Sequence, residues 1–260
     1  MTAGESPAAG RVLLTSEKGI ATLMLERPAK LNAIGPDMLA ELDQLMAEID
    51  VDPNVRAVIL TGSGDRAFSV GADVNAWAAL DPLDMWRSWI REGHRVLQRL
   101  VHLRQPTIAA INGFAFGGGL ELALAADMRI AAETASFALP ETKIGTLPGW
   151  AGTTRLADVI GVARSKQMIF SGSGIDALTA EHWGLVNEVV APGTLMDRCR
   201  ALASEIAANA PISVQLAKAA INGDTSAPEA FAGALAAATE DGREGIAAFR
   251  EKRPPHFSGR

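Results

Sequence analysis

Apolar residues follow a changing but ordered pattern along the first three quarters of the chain. RVLLTSE (residues 11–17) and IATLMLE (residues 20–26) are apolar-rich runs joined by Lys18 and Gly19, which predicts a hairpin. Arg27-Pro28-Ala29-Lys30 breaks the run. From Pro36 the spacing changes: Met38, Leu39, Leu42, Leu45, Met46 and Ile49 recur at three and four residues, which predicts a helix ending at Asp52-Pro53-Asn54. RAVILT (residues 56–61) is β-branched and reads as a short buried strand. After the loop Gly62-Ser63-Gly64-Asp65, residues 67–70 (AFSV) predict a second short strand running into Gly71-Ala72-Asp73. Residues 74–103 read as helical and carry Trp77, Trp86 and Trp89.

The same order then returns. TIAAING, after Pro106, is a short apolar strand ending at glycine, followed by the triplet Gly117, Gly118 and Gly119 and an almost wholly apolar helix. Residues 127–131 and 136–139 are further short strands. Two rounds of β-β-α predict an α/β fold with a layered, right-handed repeating core rather than a flat doubly wound sheet. Residues 155–170 and 175–183 read as helices, and residues 185–190 (LVNEVV) as the last strand-like run. From Thr194 the character changes to alanine-rich helices (196–209, 211–222 and 228–249) with no strand between them. The expected division is a core over residues 11–193 and a helical section over 194–257, suited to cover the core or to build an oligomer interface.

Composition narrows the function classes. The chain has 260 residues, 48% hydrophobic and 21% charged, an ordinary globular composition. A net charge of −6, with no basic-aromatic stripe, argues against nucleic-acid binding. One cysteine, Cys199, forms no internal disulfide, which favours a cytoplasmic setting. The histidines at 94, 102, 182 and 256 lack the paired spacing of a zinc site, so no metal is expected. The N-terminal MTAGESPAAGR, with Pro7, reads as a loose tail without the pattern of a signal peptide. No run approaches the roughly 18 apolar residues of a membrane helix.

The candidate chemistry gathers between Asn112 and Thr153. Three glycines before a helix expose backbone N–H groups where the helix dipole is positive, a geometry suited to an anion or a developing oxyanion. Such glycines also serve close packing, and taken alone that is their commoner use. Ser69-Val70-Gly71-Ala72-Asp73 is a second strand end of this kind, with Asp73 placed to cap a helix. Glu121, flanked by Leu120, Leu122, Ala123 and Leu124, is expected to be buried. Burial disfavours its charge while the helix start favours it, so the direction of its pKa shift stays open. Glu141 follows Leu139-Pro140 in a loop shaped by proline and glycine. Two carboxyls in different surroundings can divide acid and base work, provided they meet in space. Trp77, Trp86, Trp89 and Trp150 are candidates for an apolar pocket, with ordinary core the default reading for Trp86 and Trp89.

Taken together, RPAKLNAI, FSVGADV, NGFAFGGGLELALAADMRIA, FALPETKIGTLPGWAGTTRL, GLVNEVV and AAFREKRPPHF make the chain resemble the crotonase family, the enoyl-CoA hydratase/isomerase superfamily, over residues 11–257. The resemblance implies a crotonase (ClpP/crotonase-like) fold, with a superhelical β-β-α core and a C-terminal helical trimerisation region giving a homotrimer or homohexamer. It implies an acyl-CoA thioester substrate and no cofactor beyond the coenzyme A carried by that substrate. On the matching positions, backbone N–H groups of Ala72 and Gly118 form the oxyanion hole. Glu141 exchanges the proton at the α-carbon, Glu121 activates water for the β-carbon, and the backbone of Gly149 helps to orient that water. Val70, Ala72, Asp73 and Val74 lie along the coenzyme. Lys30 and, from a neighbouring subunit, Lys252 are candidates for its phosphates. Both glutamates together point to an enoyl-CoA hydratase. The alternatives are a double-bond isomerase, a C–C lyase, or a non-catalytic acyl-CoA binder. Where the family pattern reads PGxGGT, this chain has Pro148-Gly149-Trp150-Ala151-Gly152-Thr153, and Asn75 stands in place of a frequent lysine. These departures bear on the acyl group.

Overall fold

The computed structural model describes residues 10–223 and 227–259; the N-terminal tail around Pro7 lies outside the described residues. Strands β1 (Arg11–Glu17) and β2 (Ile20–Glu26) form the expected hairpin, paired antiparallel from Arg11↔Glu26 to Glu17↔Ile20. Lys18 and Gly19 both have positive φ (51° and 80°), the backbone that lets a two-residue turn match the twist of its strands. Helix α1 (Pro36–Val51) follows and buries Met38, Leu39, Leu42, Met46 and Ile49, the stripe its spacing predicts.

The repeating core has three turns. Strands β3 (Ala57–Gly62) and β4 (Ala67–Ser69) form the first, β5 (Thr107–Ile111) and β6 (Phe114–Phe116) the second, and β7 (Met128–Ala132) and β8 (Ser136–Ala138) the third. In each pair the first strand joins a six-stranded sheet and the second a four-stranded one. With β9 (Ile175–Asp176) and β10 (Glu188–Val190), the orders are β1-β2-β3-β5-β7-β10 and β4-β6-β8-β9. β3 and β5 are buried at every position, which is why they read as continuous apolar runs instead of alternating ones.

Helices leave the small sheet after each pair. After β4 come α2 (Val74–Trp77), α3 (Pro82–Asp84), a π-wound turn over Met85–Ile90, and α4 (Arg91–His102). The single helix expected over residues 74–103 is thus broken. The residue before a proline disfavours helical backbone, and Asp81 restarts the helix by accepting from Leu83 N and Asp84 N at 2.8 and 2.9 Å. After β6 comes α5 (Gly118–Ala125), and after β8 come α6 (Gly152–Ile160) and α7 (Val162–Ser171), then α8 (Ala177–Trp183). Buried Arg129 on β7 secures the far end of α5 by donating to Ala126 O (2.8 Å) and to Leu185 O (2.7 Å).

Helix α9 (Leu195–Ala207) lays Leu195, Cys199 and Ala203 on the face of the large sheet that carries Ile59, Ile108 and Ile130. The first compact unit therefore runs past the change in composition at Thr194 and ends at Val214. Helix α10 (Pro211–Ile221) crosses that boundary. The second unit holds α11 (Ala227–Ala238) and α12 (Glu240–Glu251), which Thr239 separates by capping Gly242 N at 2.9 Å. Among the described residues no helix is long and apolar enough to cross a membrane.

Candidate active site

The ends of β4 and β6 meet, and the glycines exist because they meet. A Cβ on Gly71 would stand 2.6 Å from Gly118 N and 2.8 Å from Phe116 O, and one on Gly119 would overlap Ser69 O. Gly71 also has φ of +93°, a backbone that side chains rarely adopt. The close packing read from the sequence is present here, and the tight approach brings two backbone N–H groups side by side. Ala72 is bridged to Ile34, with Ile34 N donating to Gly71 O (2.8 Å) and Asp73 N to Ile34 O (2.9 Å), which leaves Ala72 N–H outside the bridge. Gly118 is the first residue of α5, where N–H groups have no intrahelical partner. A Cβ on Gly118 would lie 3.3 Å from Ala72 N, so the two donors are neighbours.

The strand end is held from behind. Asp73 caps α2 through Asn75 N (3.1 Å) and pairs with Arg27 (2.7 Å). Burial alone would raise its pKa, and the bonds from Arg27 and Asn75 outweigh that and lower it. Asn32, fully buried, donates to Ser63 O and Ala67 O at 3.0 and 2.8 Å and accepts from Arg27 N at 2.9 Å. Sequence reasoning passed over Arg27 and Asn32 as supports. Their only local signal is a polar residue on either side of Pro28-Ala29-Lys30.

Both glutamates reach the same cleft. Glu121, in the first turn of α5, is 2% exposed, and its Oε1 accepts from Trp150 N and Gly152 N, each at 2.7 Å. Burial pushes its pKa up to about 7, against the pull of those two N–H groups and of Arg155, and the nearby Glu141 adds to the rise. The direction left open by the sequence is therefore upward. Glu141 opens a short 3₁₀ turn (Glu141–Ile144), and burial raises its pKa as well. Its Oε2 is buried without a hydrogen-bond partner among the described residues, a costly arrangement for an ionised oxygen. Around the acids, Trp77, Met85, Trp89, Ile90, Leu147 and Trp150 supply apolar walls, and Ala72, Gly118, Thr146 and Gly149 complete a cleft of about 430 Å³ including its mouth.

Of the tryptophans, Trp89 packs in the core as expected and also lines the cleft, whereas Trp86 is 56% exposed and is not core. Trp150 leans on Trp89 with ring centroids 5.5 Å apart. A Cβ on Gly93 of α4 would overlap its Nε1, so that glycine is the seat of the indole. Gly93 drew no attention in the sequence, where a glycine within a helix marks only a weaker helix. Ala151, standing where the family pattern has glycine, takes φ of +75° and ψ of 18°. A left-handed L-residue costs roughly 1–2 kcal/mol, and glycine gives back roughly 0.5–1 kcal/mol in chain entropy. Ala151→Gly is therefore expected to stabilise the fold by a few tenths to about 1 kcal/mol, read as a rise in melting temperature of about 1–4 °C. A lower melting temperature would show that neighbouring contacts already absorb the strain.

Of the remaining expected site residues, Val70 donates to Leu31 O (3.1 Å), Val74 is exposed, and Lys30 is exposed in the turn Pro28–Lys30. Lys252 ends α12 in the second unit, exposed and with φ of 54°.

A family model described as Enoyl-CoA hydratase/isomerase matches residues 15–260. The chain is similar to the short-chain-enoyl-CoA hydratase of Clostridium acetobutylicum, at 41% identity over 93% of this chain and 95% of that protein. It is similar also to the (E)-benzylidenesuccinyl-CoA hydratase of Thauera aromatica, at 38% identity over 95% and 99%. Among solved structures, the enoyl-CoA hydratase of Bacillus anthracis superposes with a TM-score of 0.80 at 37% identity, covering 96% of this chain and all of that one.

Proposed function

The chain belongs to the enoyl-CoA hydratase/isomerase family and has its crotonase fold, and from that premise we propose that its cleft adds water, reversibly and syn, across the double bond of a 2-enoyl-CoA to give a 3-hydroxyacyl-CoA. The observation that carries this reading is the presence of two buried carboxyls and two strand-end N–H groups around one apolar cleft.

Each group has a role its surroundings suit. Ala72 N–H and Gly118 N–H donate to the thioester oxygen as it becomes an enolate, each contributing about 2.7–4 kcal/mol to the barrier lowering. Glu121 takes a proton from water as the oxygen bonds to the β-carbon, with the Gly149 backbone orienting that water. Glu141 gives its proton to the α-carbon as the enolate collapses. The added atoms sum to one water, and a proton passing from Glu121 to Glu141 restores the starting state. A raised pKa suits Glu141 as the acid, and the two N–H bonds to Glu121 oppose its protonation.

The same reading extends outward. The backbone at Val70, Ala72, Asp73 and Val74 runs along the coenzyme, Lys30 meets its phosphates, and Lys252 does so from a neighbouring subunit. No cofactor is needed, since coenzyme A arrives with the substrate. Exposed Ile221, Leu235 and Phe249 on the C-terminal helices support assembly as a trimer or a hexamer. The lone, buried Cys199 supports a cytoplasmic setting.

Incubating the purified protein with a panel of enoyl-CoAs and weighing the products tests the reading. Hydration adds one water, isomerisation leaves the mass unchanged, cleavage gives two fragments, and a mere binder returns its ligand. If no enoyl-CoA gains water, the hydratase assignment fails.

A pH profile tests the division of labour. Hydration needs Glu121 ionised, so kcat/KM is expected to rise with pH through the Glu121 pKa of about 7. Arg155, whose charge lowers that pKa, also donates to Trp150 O at 3.2 Å. Arg155→Gln is expected to move the acid limb to higher pH; an unmoved limb would remove Glu121 from that role. The linked stability runs the other way. An acid whose pKa is raised by folding stabilises the fold fully below its unfolded value near 4.5, and that contribution is lost as pH rises through about 7.

A further inference from the structure

We propose that Trp150 sets the acyl-chain length of this enzyme: its indole closes the tail end of the cleft and restricts the substrate to short enoyl groups. The proposal rests on the hydratase reading above and goes beyond it to the substrate class.

The indole spans the base of the cleft. One edge lies against Gly118, where a Cβ would stand 2.6 Å from Cζ3, beside the N–H group placed to hold the thioester oxygen. The other edge rests on Gly93 of α4. The side chain is 2% exposed, and Trp89 leans on it at 52° with centroids 5.5 Å apart, so the indole is packed on both sides. An acyl tail running well past the γ-carbon toward this wall would have to displace the packed pair. The space left between these walls is about 430 Å³ even with its open mouth counted. The chemistry of the lining narrows the class further. Apart from the two glutamates and Thr146 the walls are apolar or glycine, and no basic side chain lines the cleft among the described residues. An acyl group bearing its own carboxylate would be buried there without a counter-charge, which is strongly unfavourable. Relatives of similar identity carry names with quite different acyl groups, so the wall, and not the degree of identity, decides among them.

The test compares kcat/KM for straight enoyl-CoAs of four, six, eight and ten carbons in the wild type, Trp150→Ala and Trp150→Leu. The backbone N–H that reaches Glu121 survives both changes, and the ratio between chain lengths cancels any loss common to all substrates. The wild type is expected to favour four carbons over eight by about tenfold or more, an effect of the size that a few methylenes produce in a tight pocket. In at least one variant the eight-to-four ratio is expected to rise about tenfold or more. An unchanged ratio in both variants, or a wild type that turns over ten carbons as well as four, overturns the proposal and leaves the hydratase reading standing. A wild type inactive on every chain overturns both.

Discussion

Glutamine in place of Glu141 is expected to lower kcat for hydration by roughly 10²–10⁴-fold, the usual contribution of a positioned proton donor, with little change in KM. The exchange keeps the size and planarity of the side chain and replaces the titrating carboxyl with a neutral amide. The buried Oε2 has no partner among the described residues, so no hydrogen bond that stabilises the fold is lost with it. Burial already raises the pKa of this carboxyl, which means the fold prefers it neutral, and an amide is neutral at every pH. The expected result is therefore an inactive protein that melts at or slightly above the wild-type temperature. Steady-state kinetics and a thermal melt on one preparation read both halves. Activity within about fivefold of wild type would exclude Glu141 from proton transfer.

Gly71→Ala is expected to damage stability and catalysis together. The new Cβ would stand 2.6 Å from Gly118 N and 2.8 Å from Phe116 O, both backbone atoms of the neighbouring strand end, so relief requires moving β6 or the start of α5. The positive φ adds roughly 1–2 kcal/mol of strain. Overpacking of this kind costs about 1–3 kcal/mol in stability, and the loss of one aligned donor to the oxyanion costs about 10²–10³ in kcat. The two effects separate on measurement. A variant that melts lower but hydrates at the wild-type rate would show that Ala72 N–H and Gly118 N–H do not act together on the thioester oxygen. A fall in kcat larger than the unfolded fraction explains would support their role.

Elements with local signals were readable from the residues. The β1–β2 hairpin and α1 declare themselves through turn chemistry and a helical stripe. β6 lies between Gly113 and Gly117, glycines that read as breaks, and β9 is only two residues long; both are held by pairing with distant strands. The break between α2 and α3 did carry a signal, a capping aspartate before Pro82, but it was hidden inside a longer apolar-polar run. At the site, the residue types were visible and their meeting was not. The upward Glu121 shift comes from burial that prevails over donors 29 and 31 positions away, and no window along the chain contains that balance. Trp150 stood out as a large residue beside Ala151 in the motif over residues 148–153. The glycine that seats it is 57 positions earlier in a different helix, and nothing near Gly93 announces it.

That seat has a bearing on how the two positions can change over generations. With the indole present, alanine at position 93 is shut out, although alanine is the better helix former by about 1 kcal/mol. Once position 150 becomes small, alanine at 93 turns from a clash into a gain. After that gain is taken, the indole cannot return without collision. The order of steps is therefore constrained in one direction, like a ratchet: a lineage that gives up Trp150 and then firms its helix has closed the road back to the narrow cleft.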